Sequence, residues 1–336
     1  MSKKELGSLA SHRAFLGLPP KTGSVVPFPM ATSRVFSTQV AGLARRLKAI
    51  RCRDVVVGLS GGLDSTLALL VADAAFEKLG FDRRGLHVYT MPGFGTTGRT
   101  KSNASLLCEG LGVTLESISI VKACRQHFRD IGHDGVTTDV VYENAQARMR
   151  TMILMDKANM FNGIVLGTGD MSEIALGWCT YNGDHMSMFG VNSGVPKTVV
   201  RETCRWLAGP SGRCLGRGAA SEAVMDIIAT PVSPELKKGQ VTEDAIGPYE
   251  LHDFFLWNFI MNEMGPKALK SAAESFFQGR FDAALVAATE ETFFRRFFSQ
   301  AFKRNCAPDG VRVFPFELSP HGWWIPSDLG RVKLHG

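Results

Sequence analysis

Short apolar runs alternate along this chain with segments whose apolar residues recur at helical spacing. Val55, Val56 and Val57 run into Gly58 and Leu59 with no polar residue between them, the pattern of a strand buried on both faces. Residues 65–78 follow with helical periodicity and stop at Gly80. Residues 86–90 predict a second strand, 100–111 a second helix closed by Gly112, and 115–120 a third strand. A long helix over 142–159 precedes a fourth strand at 164–167. Upstream, Val40, Leu43 and Leu47 predict a helix over 38–49, and residues 1–37, with Gly, Pro and Ser but no period, read as an arm. Strand and helix alternating in this way predict an α/β fold, a doubly wound parallel sheet with helices on both faces. Ligands of such sheets sit beyond the carboxyl ends of the strands, where the strand order reverses, so the residues just after each strand matter most.

The remainder is less regular. Residues 177–194 are polar and Gly-rich and read as a long functional loop. Residues 209–218 hold Gly209, Gly212, Gly216 and Gly218 and match no motif. Phe-rich helical patterns follow Glu250, and residues 308–336 form an irregular tail containing Trp323 and Trp324.

Composition narrows the class. With 45% hydrophobic and 21% charged residues the chain reads as an ordinary soluble protein able to bury an active site. Its formal charge of +6 suits a polyanionic ligand, but the basic residues are scattered. The densest run, Arg295 and Arg296 to Lys303 and Arg304, is interrupted by Phe297 and Phe298, so it reads as a solvated helix face and no nucleic-acid partner is expected. Seven cysteines without a C-x-x-C pair argue against zinc and for reduced thiols in a cytoplasmic protein. No apolar stretch is long enough to span a membrane.

The strongest chemical signal is Ser60-Gly61-Gly62-Leu63-Asp64-Ser65, set between the first strand and its helix. Two glycines let the backbone turn and bring its N–H groups to an anion, the helix N-terminus adds partial positive charge, and Ser60 and Ser65 add hydroxyls. The loop lacks the Lys of the common NTPase phosphate loop. Asp64 beside phosphates implies an intervening cation, Mg²⁺ being the usual one; otherwise Asp64 caps the helix.

This hexapeptide resembles the pyrophosphate-binding signature of the N-type ATP pyrophosphatases, which implies a Rossmann-like sheet and cleavage of ATP between its α and β phosphates. Four further motifs follow in order: residues 142–150 (Tyr142 to Arg150), 167–173 (Gly167 to Glu173), 177–184 (Gly177 to Asp184) and Pro196-Lys197-Thr198. Together they resemble NAD synthetase over residues 39–249. The resemblance implies ATP-dependent amidation of deamido-NAD to NAD through an adenylated carboxylate. It implies ATP contacts from Gly58, Ser60, Gly61, Gly62, Asp64, Ser65, Met91, Thr168, Lys197 and Ser233, and Mg²⁺ held by Asp64 and Glu173. Asn144, Arg148, Thr180 and Asp184 match the deamido-NAD site. Asp64, Glu173, Asp184 and Lys197 are the expected catalytic set, with Asp184 orienting or deprotonating ammonia. A homodimer is implied as well. The matching domain is expected over 38–265, with a helical and irregular extension over 266–336.

Each residue also has a structural reading. Glu173 could cap its own short helix, Asp184 could make a turn after Gly183, Lys197 could be plain surface, and Arg148, one turn from Asn144 on a shared helix face, could serve an ion pair. Residues 90–97 and the C-terminal tail are similar to the glutamine-dependent NAD synthetases, whose synthetase portion follows a glutaminase domain. The roughly fifty residues before the first strand are too few for such a domain, so ammonia is expected free from solution or from a separate glutaminase. The Phe-rich tail is expected to pack on the core or on a second copy rather than to dock that glutaminase. An RNA-modifying ATP pyrophosphatase would want an RNA-binding module or paired cysteines, and a non-catalytic subunit would have lost Asp64, Glu173 or Lys197; neither pattern is present.

Overall fold

The all-valine run becomes β1 (Val55–Gly58), the middle strand of a five-stranded parallel sheet. The computed structural model describes residues 25–319 other than 26, 30, 97, 211, 213–217, 234–235 and 237–240. β1 pairs on one side with β2 (Leu86–Thr90) and on the other with β4 (Ile164–Gly167), so Val55 lies opposite both Leu86 and Ile164. β3 (Leu115–Ser117) and β5 (Phe189–Gly190) complete the order β3-β2-β1-β4-β5. The strand order reverses between β1 and β4, which opens a crevice at their carboxyl ends.

Period-two alternation divides the core. Val55 and Val57 face a large apolar cluster, and Val56 faces a smaller one with Tyr89 and Val165. The larger cluster is roofed by α1 (Thr32–Ile50), α2 (Leu63–Leu79), α3 (Gly98–Leu111), α7 (Lys197–Ala208) and α8 (Gly218–Ile228). α4 (Val121–Asp130) and α5 (Val140–Met160) cover the opposite face. The remaining helices are α6 (Met171–Leu176), α9 (Thr242–Ile246), α10 (Tyr249–Met261), α11 (Pro266–Phe276), α12 (Ala283–Ser299) and α13 (Ala301–Arg304). Of the Phe-rich tail, Phe314 and Phe316 are buried in the larger cluster and Phe297 packs against it, so the part of the tail among the described residues, up to Ser319, packs on the core. Trp323 and Trp324, and most of 209–218, lie outside the described residues.

Two boundaries move by three residues or more from the sequence reading, and β5 was not expected. The first helix begins at Thr32, six residues into the expected arm, because Val35 and Phe36 extend the buried stripe of Val40 and Leu43 by another turn. The third strand ends at Ser117 because its only neighbour, β2, runs into Met91 and Pro92; single backbone bonds from Ile118 to Thr90 and from Ile120 to Pro92 continue, but proline offers no N–H for a ladder. β5, two residues long inside the expected loop, is too short to show a period.

His252 on α10 is buried; its Nε2–H donates to the Ile246 carbonyl at 2.8 Å, while Nδ1 is buried without a hydrogen-bond partner. Burial pulls its pKa from 6.5 down to about 4, so the native state binds fewer protons than the unfolded chain across that window. Stability from this residue is therefore present above pH 6.5 and lost as pH falls toward 4, by up to about 3 kcal/mol. Asp253, pushed up to about 6 by burial, acts in the opposite sense below pH 6, and this effect cancels when two proteins sharing it are compared. Urea unfolding of His252→Gln and of the parent chain at pH 7.5 and 4.5 should show the parent losing more stability on acidification. A pH-independent difference would show that His252 is not buried neutral.

Candidate active site

The turn after β1 is held in shape by its own hydroxyls. Gly61 adopts φ +86°, a conformation that favours glycine, and Gly62 enters α2 in extended geometry. The Ser65 hydroxyl accepts from the Ser60 N–H at 3.2 Å and donates to the Gly62 carbonyl at 3.1 Å, while Ser60 Oγ accepts from the Gly62 N–H at 3.2 Å. The loop is thus pre-formed for a ligand, which avoids ordering it on binding. At the strand end, a Cβ on Gly58 would lie 2.9 Å from Cδ1 of Leu154, the movable end of that side chain.

Across the crevice, Asp170 caps α6 by accepting the Glu173 N–H at 2.8 Å, so Glu173 does not cap its own helix. Nor does Asp64 cap α2; Gly62 holds the cap position. Both side chains turn instead to Lys197, the first residue of α7, which is fully buried rather than surface. Its Nζ lies 2.5 Å from Asp64 Oδ2, 2.9 Å from Asp170 Oδ2 and 2.9 Å from Glu173 Oε1, and 5.3 Å from the centre of the Tyr249 ring. One ammonium thus joins the turn after β1 to the helix after β4.

A second set of hydrogen bonds fixes those elements. The Lys197 N–H donates to Ser172 Oγ at 2.8 Å, and that hydroxyl donates to Asp253 Oδ1. Asp253 Oδ2 accepts the Thr198 N–H at 2.9 Å and the Thr198 hydroxyl at 2.6 Å. The Asn192 amide donates to the carbonyls of Asp64 (2.8 Å) and Thr168 (2.9 Å), and accepts from Gln39 at 2.9 Å. Asn192 therefore sets the spacing of the two turns from below.

Three carboxylates against one ammonium leave a formal charge of −2. Burial alone would lower the Lys197 pKa, but Asp170, Asp64 and Glu173 outweigh it and hold it well above its ordinary value. Burial raises Asp170 well above the carboxylate range and Glu173 to about 7, even with Lys197 opposing. One cation does not satisfy the three acids, so the cluster retains protons or takes a further cation. The geometry fits the latter: Asp64 Oδ1 is buried without a hydrogen-bond donor among the described residues, and one oxygen from each acid lies within 4.8 Å of the others. Asp64 and Glu173 keep 19% and 20% of their side chains exposed, which leaves access from the crevice. Asp64, Asp170 and Glu173 could together hold a divalent metal.

The other expected residues form a chain beside this cluster. Asn144 Oδ1 accepts from the Thr180 hydroxyl at 2.9 Å, and Asp184 Oδ1 accepts the Thr180 N–H at 2.7 Å. Asp184 therefore does brace a turn, and it also lines, with Glu173, a pocket bounded by Ser187, Lys303 and Pro308. Arg148 is exposed and donates from Nε to the Tyr181 carbonyl at 3.1 Å. Met91 is buried at the end of β2, its carbonyl accepting from Arg150 at 3.0 Å, and Thr168 is half-buried after β4. Ser233 is exposed on the connection after α8. Asp170, Ser172, Asn192, Gln39 and Asp253 went unread in the sequence. Asp170 had a local signal, the D-x-x-E spacing of a helix start. Asn192 and Asp253 had none, because they act on residues 128 and 81 positions away.

With this geometry in place, comparison with known proteins is decisive on kinship. A model of the NAD synthase family matches residues 35–288. The chain belongs to the NAD synthase family. A glutamine-dependent NAD(+) synthetase of Mycobacterium leprae is 38% identical over 324 aligned residues, covering 88% of this chain and 47% of that protein. The chain spans about half the length of the curated relatives it matches. Among solved structures, a glutamine-dependent NAD(+) synthetase from Cytophaga hutchinsonii superposes with a TM-score of 0.67 at 18% identity, covering 88% of this chain and 53% of that one. An NH3-dependent NAD synthetase from Campylobacter jejuni gives 0.57 at 20% identity, over 82% and 96% respectively. These two share the fold.

Replacing Lys197 by Met would leave three acids buried without their cation. Removing one partner from a buried charge cluster costs about 3–5 kcal/mol, so Lys197→Met should unfold at markedly lower urea concentration at pH 8. Stability equal to the parent chain would mean that the ammonium does not hold the cluster together.

Proposed function

We propose that this chain joins ammonia to the carboxylate of deamido-NAD, using ATP and forming NAD, AMP and pyrophosphate through an adenylated intermediate. The observation that carries this reading is the Lys197 cluster: it brings the pre-formed Ser60–Gly62 turn and the acids after β4 to one point at the reversal of strand order. Family membership and the 38% identical relative support the same assignment.

A carboxylate resists attack because its own negative charge repels the nucleophile. In the first step its oxygen attacks the α-phosphorus of ATP, and the bond from that phosphorus to the β-phosphate bridging oxygen breaks. Pyrophosphate leaves into the turn of Ser60, Gly61 and Gly62, whose anion-binding geometry suits it. Lys197 offsets charge developing on the phosphates. Asp64, Asp170 and Glu173 would hold Mg²⁺, which when bound supplies further charge neutralisation there. In the second step the ammonia lone pair attacks the activated carbonyl, the bond to AMP breaks, and a proton from nitrogen passes to Asp184 or solvent. The Thr180 turn that Asp184 braces, and the pocket that it lines together with Glu173, support this role. Asn144, Thr180 and Arg148 hold deamido-NAD beside it.

In this reading nitrogen reaches the site as ammonia. The exposed apolar residues Val140, Val141, Met152 and Met160 of α5 support a homodimer.

Purified protein with ATP, Mg²⁺, deamido-NAD and ammonium should form NAD, and chelation of Mg²⁺ should stop it. Asp64→Asn should lower kcat/KM by about 10²-fold or more, and Asp184→Asn should raise the KM for ammonium. No NAD from either ammonium or glutamine would overturn the ligase reading. Normal ammonium-dependent turnover by Asp184→Asn would remove that residue from the mechanism.

A further inference from the structure

α6 is only six residues long, yet its two ends do different work. Its start carries Asp170 and Glu173. At its end, backbone bonds from Trp178 and Gly177 satisfy the carbonyls of Glu173 and Ile174. The carbonyls of Ala175, Leu176, Gly177 and Cys179 are met by cations from α12 and α13. Arg304 donates to Ala175 at 3.0 Å, and Arg296 donates to Leu176 at 3.0 Å and to Gly177 at 3.3 Å. Lys303 donates to Gly177 at 2.8 Å and to Cys179 at 2.6 Å.

Water could cap these carbonyls at little cost. Instead three side chains are half-buried here, and burial lowers the pKa of each. The arrangement is fitted closely. Gly177 adopts φ +55°, and a Cβ on it would lie 2.4 Å from Gln300. The Arg296 guanidinium lies over the Trp178 ring at 4.9 Å, and that of Arg304 over Phe297 at 4.3 Å. The segment beyond α13 is stitched to the sheet, with Gly190 donating to Asp309 at 2.8 Å and Val311 donating to Gly190 at 3.0 Å. This brings Lys303, Arg304, Ala307 and Pro308 to the pocket that Glu173 and Asp184 also line. Cys179, held by Lys303, immediately precedes Thr180, where the Asp184-braced turn begins.

We propose that Lys303, backed by Arg296 and Arg304, is a positioning residue for amide formation: it fixes the depth of the 177–184 segment, and so the placement of Asp184 relative to Glu173. The inference rests on the ligase reading above and assigns the C-terminal extension a part in the second half-reaction. Adenylation, which uses the turn after β1 and the Lys197 cluster, does not depend on it.

The test separates the two half-reactions. Pyrophosphate released in the first turnover, before ammonium is added, reports adenylation; steady-state NAD formation against ammonium concentration reports amide formation. Lys303→Met should raise the KM for ammonium about tenfold or more, as misplacement of a reacting group does, while first-turnover pyrophosphate stays within about twofold of the parent. Lys303→Arg, which can reach both carbonyls, should recover most of the loss. Should Lys303→Met fail to fold, Lys303→Gln, which keeps a donor for one carbonyl, should show an intermediate rise in KM. An unchanged ammonium KM in Lys303→Met or Lys303→Gln would overturn the proposal, as would equal loss of both half-reactions. A parent chain that forms no NAD would instead overturn the ligase reading on which the inference rests.

Discussion

The ammonium of Lys197, enclosed by Asp64, Asp170 and Glu173 and fully buried, constrains the rest of this molecule. Burying such a group costs several kcal/mol unless its partners are held in good geometry. Those partners come from two different turns, so the sheet must place the carboxyl ends of β1 and β4 side by side, and the order β3-β2-β1-β4-β5 does so. The long valine run of β1 follows from the same demand, since a strand in mid-sheet with helices on both faces has no polar side.

Around that ion cluster the protein uses a further set of hydrogen bonds to set distances and charge to set reactivity. Asn192 and Gln39 fix the separation of the two turns, while Ser172, Thr198 and Asp253 fix the start of α7 against α6. The excess negative charge of the cluster is left in place beside the crevice, where two of its acids stay reachable. A site of this kind favours a polyphosphate accompanied by a divalent cation. The C-terminal helices extend the principle: their cations hold the far end of α6, so one short helix is fixed by charge at both ends.

Much of this was legible in the sequence because it is local. Val55 to Val57, the Gly61-Gly62 pair and the helix start at Leu63 lie within ten residues and show strand, turn and helix without any tertiary information. Asp64, Glu173 and Lys197 were readable as chemistry through the ordered motifs, but not their convergence on one atom. Without the ordered motifs Lys197 could equally have been plain surface, because a lone lysine after proline carries no local mark of burial. Asp253 and Asn192 were invisible for a related reason: each acts through a long-range hydrogen bond, and their neighbours in sequence belong to an ordinary core helix or loop. The arm boundary was misplaced because Val35 and Phe36 complete a stripe whose partners, including Trp206, come from distant sequence.

Isotope exchange between labelled pyrophosphate and ATP reads out whether the cluster activates a carboxylate with ATP, as we propose. With Mg²⁺ and deamido-NAD present and ammonium absent, the account predicts that label enters ATP, because adenylation is reversible before nitrogen arrives. Omitting deamido-NAD should abolish the exchange. Exchange that proceeds equally without deamido-NAD, or none at all in a folded protein that binds both substrates, would contradict it.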